Sequence, residues 1–255
     1  MHTFSRALLQ FAAAAPFALC AADAVSAAPR TFVASTGSDA NACSLAQPCR
    51  TFSSAILNTM PGGEIVALDS AGYGAINITK AVTVAGPPGV QASITAGSGY
   101  AVTVNAGASD RVVLRGLDII TTGSASNGIS ILSAGEVVIE DCDISGVASY
   151  GVGATGPGLL TISRARFDAG INQAALGVFG QSGEMRFVLE DSRLHASGSG
   201  VAIIAVDKIT GIVRNSALLG TSSFAAYGVR AEGSAGKTTS IALQKSLVSG
   251  FVYGV

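Results

Sequence analysis

The chain has 255 residues, 32 of them glycine, with 12% charged, 6% aromatic, no tryptophan and a formal net charge of -1. That length holds one repeat domain or two small globular ones, and the glycine excess over the usual ~7% describes many turns and small side chains. A pI near 6.1 gives no basic footprint for nucleic acid and no acidic tail, so electrostatics nominates no partner.

The chain opens with Arg6, an apolar run from Ala7 to Ala22 broken by Gln10 and Pro16, and the small-residue triplet Val25-Ser26-Ala27. This is the pattern of an export signal over residues 1–27, cleaved near Ala27. A lipidation signal at Cys20 is the competing reading, but Leu19 stands where that signal needs a small residue. No later stretch is long and apolar enough to cross a bilayer as a helix. The expectation is an exported protein, periplasmic, secreted or held at the cell surface. Export permits disulfides, and three cysteines remain after cleavage: Cys43, Cys49 and Cys142. Cys43 and Cys49 flank a short loop containing Pro48, where a bridge would stabilise by about 2 to 3 kcal/mol.

Residues 28–62 read as a segment preceding a repeat array over 63–255. Arg30 to Ser35 is a first strand, and Thr36 to Pro48 is a loop rich in Gly, Ser, Asp and Asn. Within it Asp39 and Asn41 could touch a cation, although Asx turns explain them better. From Thr51, a candidate N-cap, the spacing becomes helical. Phe52, Ala55, Ile56 and Met60 share one face, and Pro61-Gly62-Gly63 ends the helix. A short amphipathic helix ahead of a repeat array has the properties of a cap over the first coil.

The array is organised around Val137-Val-Ile-Glu-Asp-Cys-Asp-Ile-Ser-Gly146, whose copies begin at Val112, Leu160, Phe187, Gly211 and Ile241. Their third residues are Leu114, Ile139, Ile162, Leu189, Val213 and Leu243, at steps of 25, 23, 27, 24 and 30. A second anchor of residue, Gly, apolar residue recurs at Asn127-Gly-Ile129, Tyr150-Gly-Val152, Leu176-Gly-Val178, Ser199-Gly-Val201, Tyr227-Gly-Val229 and Tyr253-Gly-Val255. Two short strands per period with no helix between them rule out βαβ units. Stacked coils satisfy the pattern, each strand pairing with its copy ~4.8 Å away. The fold class is therefore all-β, a single-chain parallel solenoid.

Inward positions form apolar columns, one of them Ile144, Phe167, Leu194, Leu218 and Val248. Outward neighbours Arg115, Glu140, Ser163, Glu190, Arg214 and Gln244 alternate in sign, as do Asp141, Arg164 and Asp191. Such ladders have a structural reading, weak pairing at ~0 to 1 kcal/mol per pair. Their functional reading is a groove for a charged polysaccharide, with Asp141, Asp143, Arg164, Arg166 and Arg193 as ligand-facing residues. The structural reading is the stronger. Cys142 stands at the small position shared with Ala165, Ser192, Ser216 and Ser246, so it reads as a buried packing thiol.

The run Phe32-Val-Ala-Ser-Thr-Gly-Ser-Asp39, with Cys43, Pro48-Cys49-Arg-Thr-Phe52, Ala55-Ile56 and Ile76-Asn-Ile-Thr-Lys-Ala-Val-Thr-Val-Ala-Gly86, resembles exported bacterial right-handed parallel β-helix repeat proteins of the pectin-lyase-like superfamily. The resemblance implies a right-handed single-stranded parallel β-helix. Polysaccharide lyases of that superfamily bind substrate and calcium on one sheet face through clustered carboxylates and a basic residue. If the Gly-apolar strand forms that face, its outward residues are Thr103, Ser130, Gly153, Phe179, Ala202 and Arg230. No carboxylate pair stands among them, and Arg230 with Glu232 reads as a solvated pair. Glycosidases of the fold need paired aspartates and a histidine near glycine, whereas His195 reads as a surface histidine.

Other motifs fail on context. Gly151-Val-Gly153-Ala-Thr-Gly156 matches a dinucleotide pattern, but Pro157-Gly158 and an apolar strand follow where a helix must receive phosphate. There is no zinc ligand set and no Gly-x-Ser-x-Gly elbow. Asn77-Ile-Thr79 is a formal glycosylation sequon. The functional expectation is a non-catalytic surface or periplasmic scaffold contacting a glycan or protein, without a cofactor. The alternative is a lyase or epimerase acting on acidic polysaccharide, and only that reading calls for calcium. The coil begun at Tyr253-Gly-Val255 suggests self-association through an uncovered edge.

Overall fold

A computed structural model describes residues 27–146, 149–156, 158–169, 174–180, 183–196, 201–220, 227–233 and 235–253. The expected export signal over residues 1–27, apart from its last residue Ala27, lies outside these, as do Ser199-Gly200 and the last two residues of Tyr253-Gly-Val255. The described chain forms a parallel β-solenoid of about 6 turns, with a single seven-residue helix, Phe52–Asn58.

Every pairing between the described strands is parallel, and the coils fall into three rows of strand segments, the first coil contributing only Ala28–Val33. The first row is a nine-stranded sheet. It runs from Ala28–Val33 through Thr59–Ala67, Val82–Ala85, Arg111–Arg115, Glu136–Glu140, Gly158–Ser163, Met185–Glu190 and Ile209–Arg214 to Thr239–Gln244. The second row stacks Asp143–Ser145, Arg166–Ala169, Arg193–Ala196, Ala217–Gly220 and Leu247–Ser249. The third stacks Tyr150–Ala154, Ala174–Phe179, Val201–Val206 and Val229–Glu232. The long strands Ala92–Asn105 and Leu117–Ser133 continue from the second row into the third and join them in one sheet.

From the strand Arg111–Arg115 onward the chain leaves the first row through one left-handed residue per described coil. Gly116, Asp141, Arg164, Asp191, Asn215 and Lys245 have φ of 63°, 54°, 49°, 51°, 50° and 48°. This corner breaks the regular ladder, and the next residues repair it. The Ser192 hydroxyl donates to the Glu190 carbonyl (2.7 Å) and accepts from the Ala165 amide (3.0 Å). Ser216 does the same for Arg214 (2.8 Å) and the Ser192 amide (3.2 Å), and Ser246 for Gln244 (2.9 Å) and the Ser216 amide (3.2 Å). Buried amides that would otherwise lack acceptors are thereby satisfied. Cys142 holds the same position with its sulfur 3.3 Å from the Glu140 carbonyl. Burial pushes its thiol up to about 12, so it remains a neutral packing group.

Both expected inward columns are in register. Leu114, Ile139, Ile162, Leu189 and Val213 are fully buried, as are Ile144, Phe167, Leu194 and Leu218. Each such side chain contributes ~1.5 to 3 kcal/mol of burial. Leu243, in the last described strand of the first row, is 37% exposed, because no described strand stacks on its far side.

The structure corrects the sequence reading at several points. The helix carries the expected N-cap, with the Thr51 hydroxyl accepting from the Ser54 amide (3.2 Å), and buries Phe52, Ala55 and Ile56. It stops at Asn58, ahead of Pro61, because Thr59 enters the first row opposite Ala28 and its hydroxyl bonds Ala55 O at 2.7 Å. Met60 therefore lies in a strand, 40% exposed, and off the helical face. The first strand spans Ala28–Val33, two residues earlier than read. Cys43 and Cys49 are bridged, with Cα atoms 4.6 Å apart.

The second anchor slips in two coils. Ala174-Ala175-Leu176 and Val201-Ala202-Ile203 stand opposite Tyr150-Gly151-Val152, so Gly177 pairs with Gly153. The outward column of the third row is accordingly Thr103, Ser130, Gly153, Gly177, Ile204 and Arg230, with Phe179 and Ala202 displaced from it. Glycine is required at 151 because a Cβ there would lie 2.8 Å from the buried Phe167 ring and 2.6 Å from the Ala175 carbonyl.

Candidate functional site

Outward side chains of one coil stand one strand spacing from their register partners in the next, so surface chemistry is dictated by vertical neighbours. Most charged neighbours have opposite signs. Arg30 meets Glu64 (2.6 Å), Arg111 meets Glu136 (2.8 Å), Arg115 meets Glu140 (2.5 Å), and Arg214 contacts Glu190. At the corner Arg164 binds Asp141 through two nitrogens (2.7 and 2.9 Å) and reaches Glu140 at 3.2 Å. That bond holds the Asp141 carboxyl below its usual range. These ladders fit the structural reading.

The outer face of the second row breaks the rule. Its main column stacks Asp118 on Asp143, Asp143 on Arg166, and Arg166 on Arg193. Two of these three steps join like charges, and they are the only like-charge register partners among the described strands. Asp143 is half-buried, and its carboxyl is pushed up by burial, opposed by Arg166 and reinforced by Asp118 and Asp168. No described side chain makes a hydrogen bond or contact ion pair with Asp118, Asp143 or Arg193. Arg166 reaches Asp168 in its own strand at 3.2 Å.

In the adjacent column His195 lies over Asp168, Nδ1 to carboxylate 3.1 Å, and this contact holds Asp168 below the usual range. The histidine read as a free surface group is thus half-buried and partnered, because Asp168 occupies the register position beneath it.

Two depressions flank the column. A groove of about 530 Å³ between corner and second row is lined by Arg164, Arg166, Arg193 and Lys245 with Asp191 and Asn215. Asp191 accepts from the Asn215 amide, which leaves the groove predominantly cationic. A hollow of about 210 Å³ at the other end is lined by Asp118 and Asp143 with Gln91, Ile120 and Ser145.

Of the residues singled out from sequence, Asp143, Arg166 and Arg193 form one column, and Asp141 with Arg164 forms the parallel corner column beside it. Arg230 and Glu232 are elsewhere, paired with each other near the far end of the third row, with Arg230 over the Tyr227 ring at 5.5 Å. The sequence reading missed Asp118 and Lys245, although both stand at fixed offsets. Asp118 follows its inward anchor by four residues, as Asp143, Arg166 and Arg193 do, and Lys245 follows Leu243 as Asp141 follows Ile139.

Outside this face, Asp39 accepts from the Arg50 and Thr51 amides (2.9 Å each) and the Thr51 hydroxyl (3.0 Å), so its carboxylate ties the loop to the start of the helix instead of closing an Asx turn. A cluster not foreseen ties the buried Tyr73 hydroxyl to Asp69 (2.5 Å), which also takes the Ser35 amide and hydroxyl. These bonds hold Asp69 low, while burial and Asp69 push Tyr73 up. The glycine-rich Gly151 segment is a strand followed by the strand Gly158–Ser163, with no helix to receive a phosphate. Among the described residues no group of His, Cys, Asp and Glu is arranged to hold a metal ion, and no helix is long and apolar enough to cross a membrane. No family model matches the chain, and no curated protein matches it either, so its function has to be read from the face just described.

Proposed function

We propose that the chain is an exported right-handed β-helix of the pectin-lyase-like kind, with the Phe52–Asn58 helix capping its first coil. It works as a non-catalytic scaffold in the periplasm or at the cell surface, contacting a glycan or protein through the outer face of the second row. One observation carries this reading. Elsewhere on the described ladders the charges that meet as register partners have opposite signs, whereas Asp118 with Asp143 and Arg166 with Arg193 are stacked as like-charge pairs. Such stacking destabilises the fold unless something outside it supplies the opposite charge. The third row supports the non-catalytic reading, since its outward column is mostly hydroxyl, glycine and isoleucine.

Affinity electrophoresis through gels of polygalacturonate, alginate or neutral dextran tests the glycan arm. Retention by the acidic polymers should be salt-sensitive and lost in Arg166→Gln with Arg193→Gln. Equal migration of wild type and variant in every gel removes the glycan arm.

A second reading, a lyase using calcium, is favoured by the raised carboxyl of Asp143 beside Asp118 and Arg166, the disposition of a general base. Incubation with uronate polymers, following unsaturated product by absorbance with and without calcium, decides between them. A calcium-dependent signal abolished by Asp143→Asn or Arg230→Ala would convert the scaffold into an enzyme.

A further inference from the structure

We propose that the outer face of the second row binds a second copy of this chain, packed antiparallel about a twofold axis passing between Asp143 and Arg166. The inference rests on that face being the contact surface, and it names the partner. Along the stack the column runs Asp118, Asp143, Arg166, Arg193, two negative charges and then two positive ones. A twofold axis lying in the plane of the contact, at right angles to the column and between the second and third members, turns this column end for end and sets it against its copy. Asp118 of one copy then faces Arg193 of the other, and Asp143 faces Arg166. The symmetry mates repeat both contacts, so four opposite-charge pairs form and both like-charge steps are compensated together.

No simple ligand does this. An anionic polymer would answer Arg166 and Arg193 and leave Asp118 against Asp143, and a cation would do the reverse. The flanking residues permit close approach. The column continues into Ser93 on one side and Ala217 on the other, which the same axis places opposite each other. Beside it stand Ile120 and Leu219, both half-buried. A face one strand segment wide is smaller than the ~800 Å² per partner of a standard interface. The association is therefore weak and held largely by exposed charge, and salt dissolves it.

The test is sedimentation of the purified chain at about 0.02 M and about 0.5 M salt, with two charge-reversed variants. One carries Asp118→Lys and Asp143→Lys, giving four positive charges. The other carries Arg166→Glu and Arg193→Glu, giving four negative ones. Wild type should form a dimer at low salt that weakens at least tenfold at high salt. Each variant alone should be monomeric, and mixing the two should restore a dimer. A restored mixed dimer also shows that both variants are folded. If either variant does not fold, the single change Arg193→Gln with the wild-type salt series decides.

A wild-type monomer at low salt overturns the proposal, as does dimerisation of either variant alone to the wild-type extent. A monomer that still binds acidic polymers through Arg166 and Arg193 removes the second copy and keeps the contact face. A monomer that binds none of them removes both.

Discussion

If Arg193 sits above Arg166 for the sake of a contact outside the fold, removing its charge should make the isolated chain more stable. Register partners in adjacent strands lie ~4.8 Å apart and long side chains splay, so the guanidinium centres are separated by roughly 6 Å. In water two like charges at that distance repel by about 0.7 kcal/mol, and at physiological ionic strength screening roughly halves this. Gln keeps most of the apolar stem of Arg, so Arg193→Gln should raise unfolding free energy by about 0.3 to 0.7 kcal/mol. Arg214→Gln is the matched control. It removes one partner of the Arg214–Glu190 pair on the first row and should cost between about 0 and 1 kcal/mol. Urea denaturation at micromolar chain, where association is negligible, measures both. The two shifts should have opposite signs, and both should shrink as salt rises. A loss of stability in Arg193→Gln equal to that in Arg214→Gln would show that Arg193 is held by the fold itself and not by a contact outside it.

Two other outcomes follow from the packing and the titration of this face. Because the folded-state carboxyl of Asp143 is raised, the fold binds its proton more tightly than the unfolded chain does. This group's contribution is therefore fully present below the ordinary carboxylate pKa and is lost as pH rises through the raised value. Asp141 and Asp168, both depressed, act in the opposite sense, losing their contribution as pH falls. Asp143→Asn should thus stabilise the chain near neutrality and remove only the first component from a series of urea midpoints across the acid range. In the core, Phe167→Ala should cost about 3 to 5 kcal/mol, since its fully buried ring fills the column between Ile144 and Leu194. Thermal unfolding followed by circular dichroism checks this, and a cost below about 1 kcal/mol would mean that the column is not stacked as described.

How much of this was legible in the sequence follows from where the coils vary in length. From Leu114 onward the step between the inward anchor of the first row and the outward column of the second is four residues: Leu114 to Asp118, Ile139 to Asp143, Ile162 to Arg166, Leu189 to Arg193, Val213 to Ala217, whereas the coil before them takes nine, from Val84 to Ser93. Where the corner is a single left-handed residue, from Gly116 onward, the step is fixed, and the earlier corner at Gly86 is not left-handed and carries the longer segment 87–91. The first anchor, the inward column and the corner charges could therefore all be placed by counting. From the second row to the third the count changes, eight residues from Ile144 to Val152 but nine from Phe167 to Leu176 and eleven from Leu218 to Val229. The longer connection shifts the following strand against the count, which is how Gly177, the register partner of Gly153, came to be aligned with Gly151.

The same rigidity explains why the candidate site belongs on the second row and not the third. A binding surface built from vertical neighbours needs each side chain at a fixed height and phase, and from Leu114 onward the segment bounded by the left-handed corner supplies both. Substitutions there change the chemistry of a face without moving it. Insertions in the remaining connections shift the third row by a residue or two, as the slipped anchor shows. Asp118 escaped the sequence reading because its coil has Gly116 and Leu117 where later coils carry a polar or charged residue and a small one. The copy looked degenerate, yet its offset from Leu114 is unchanged. In a solenoid the offset from a buried anchor is therefore better evidence of a residue's place on the surface than the letters beside it, and by that rule the two aspartates and two arginines belong to one column whatever occupies it.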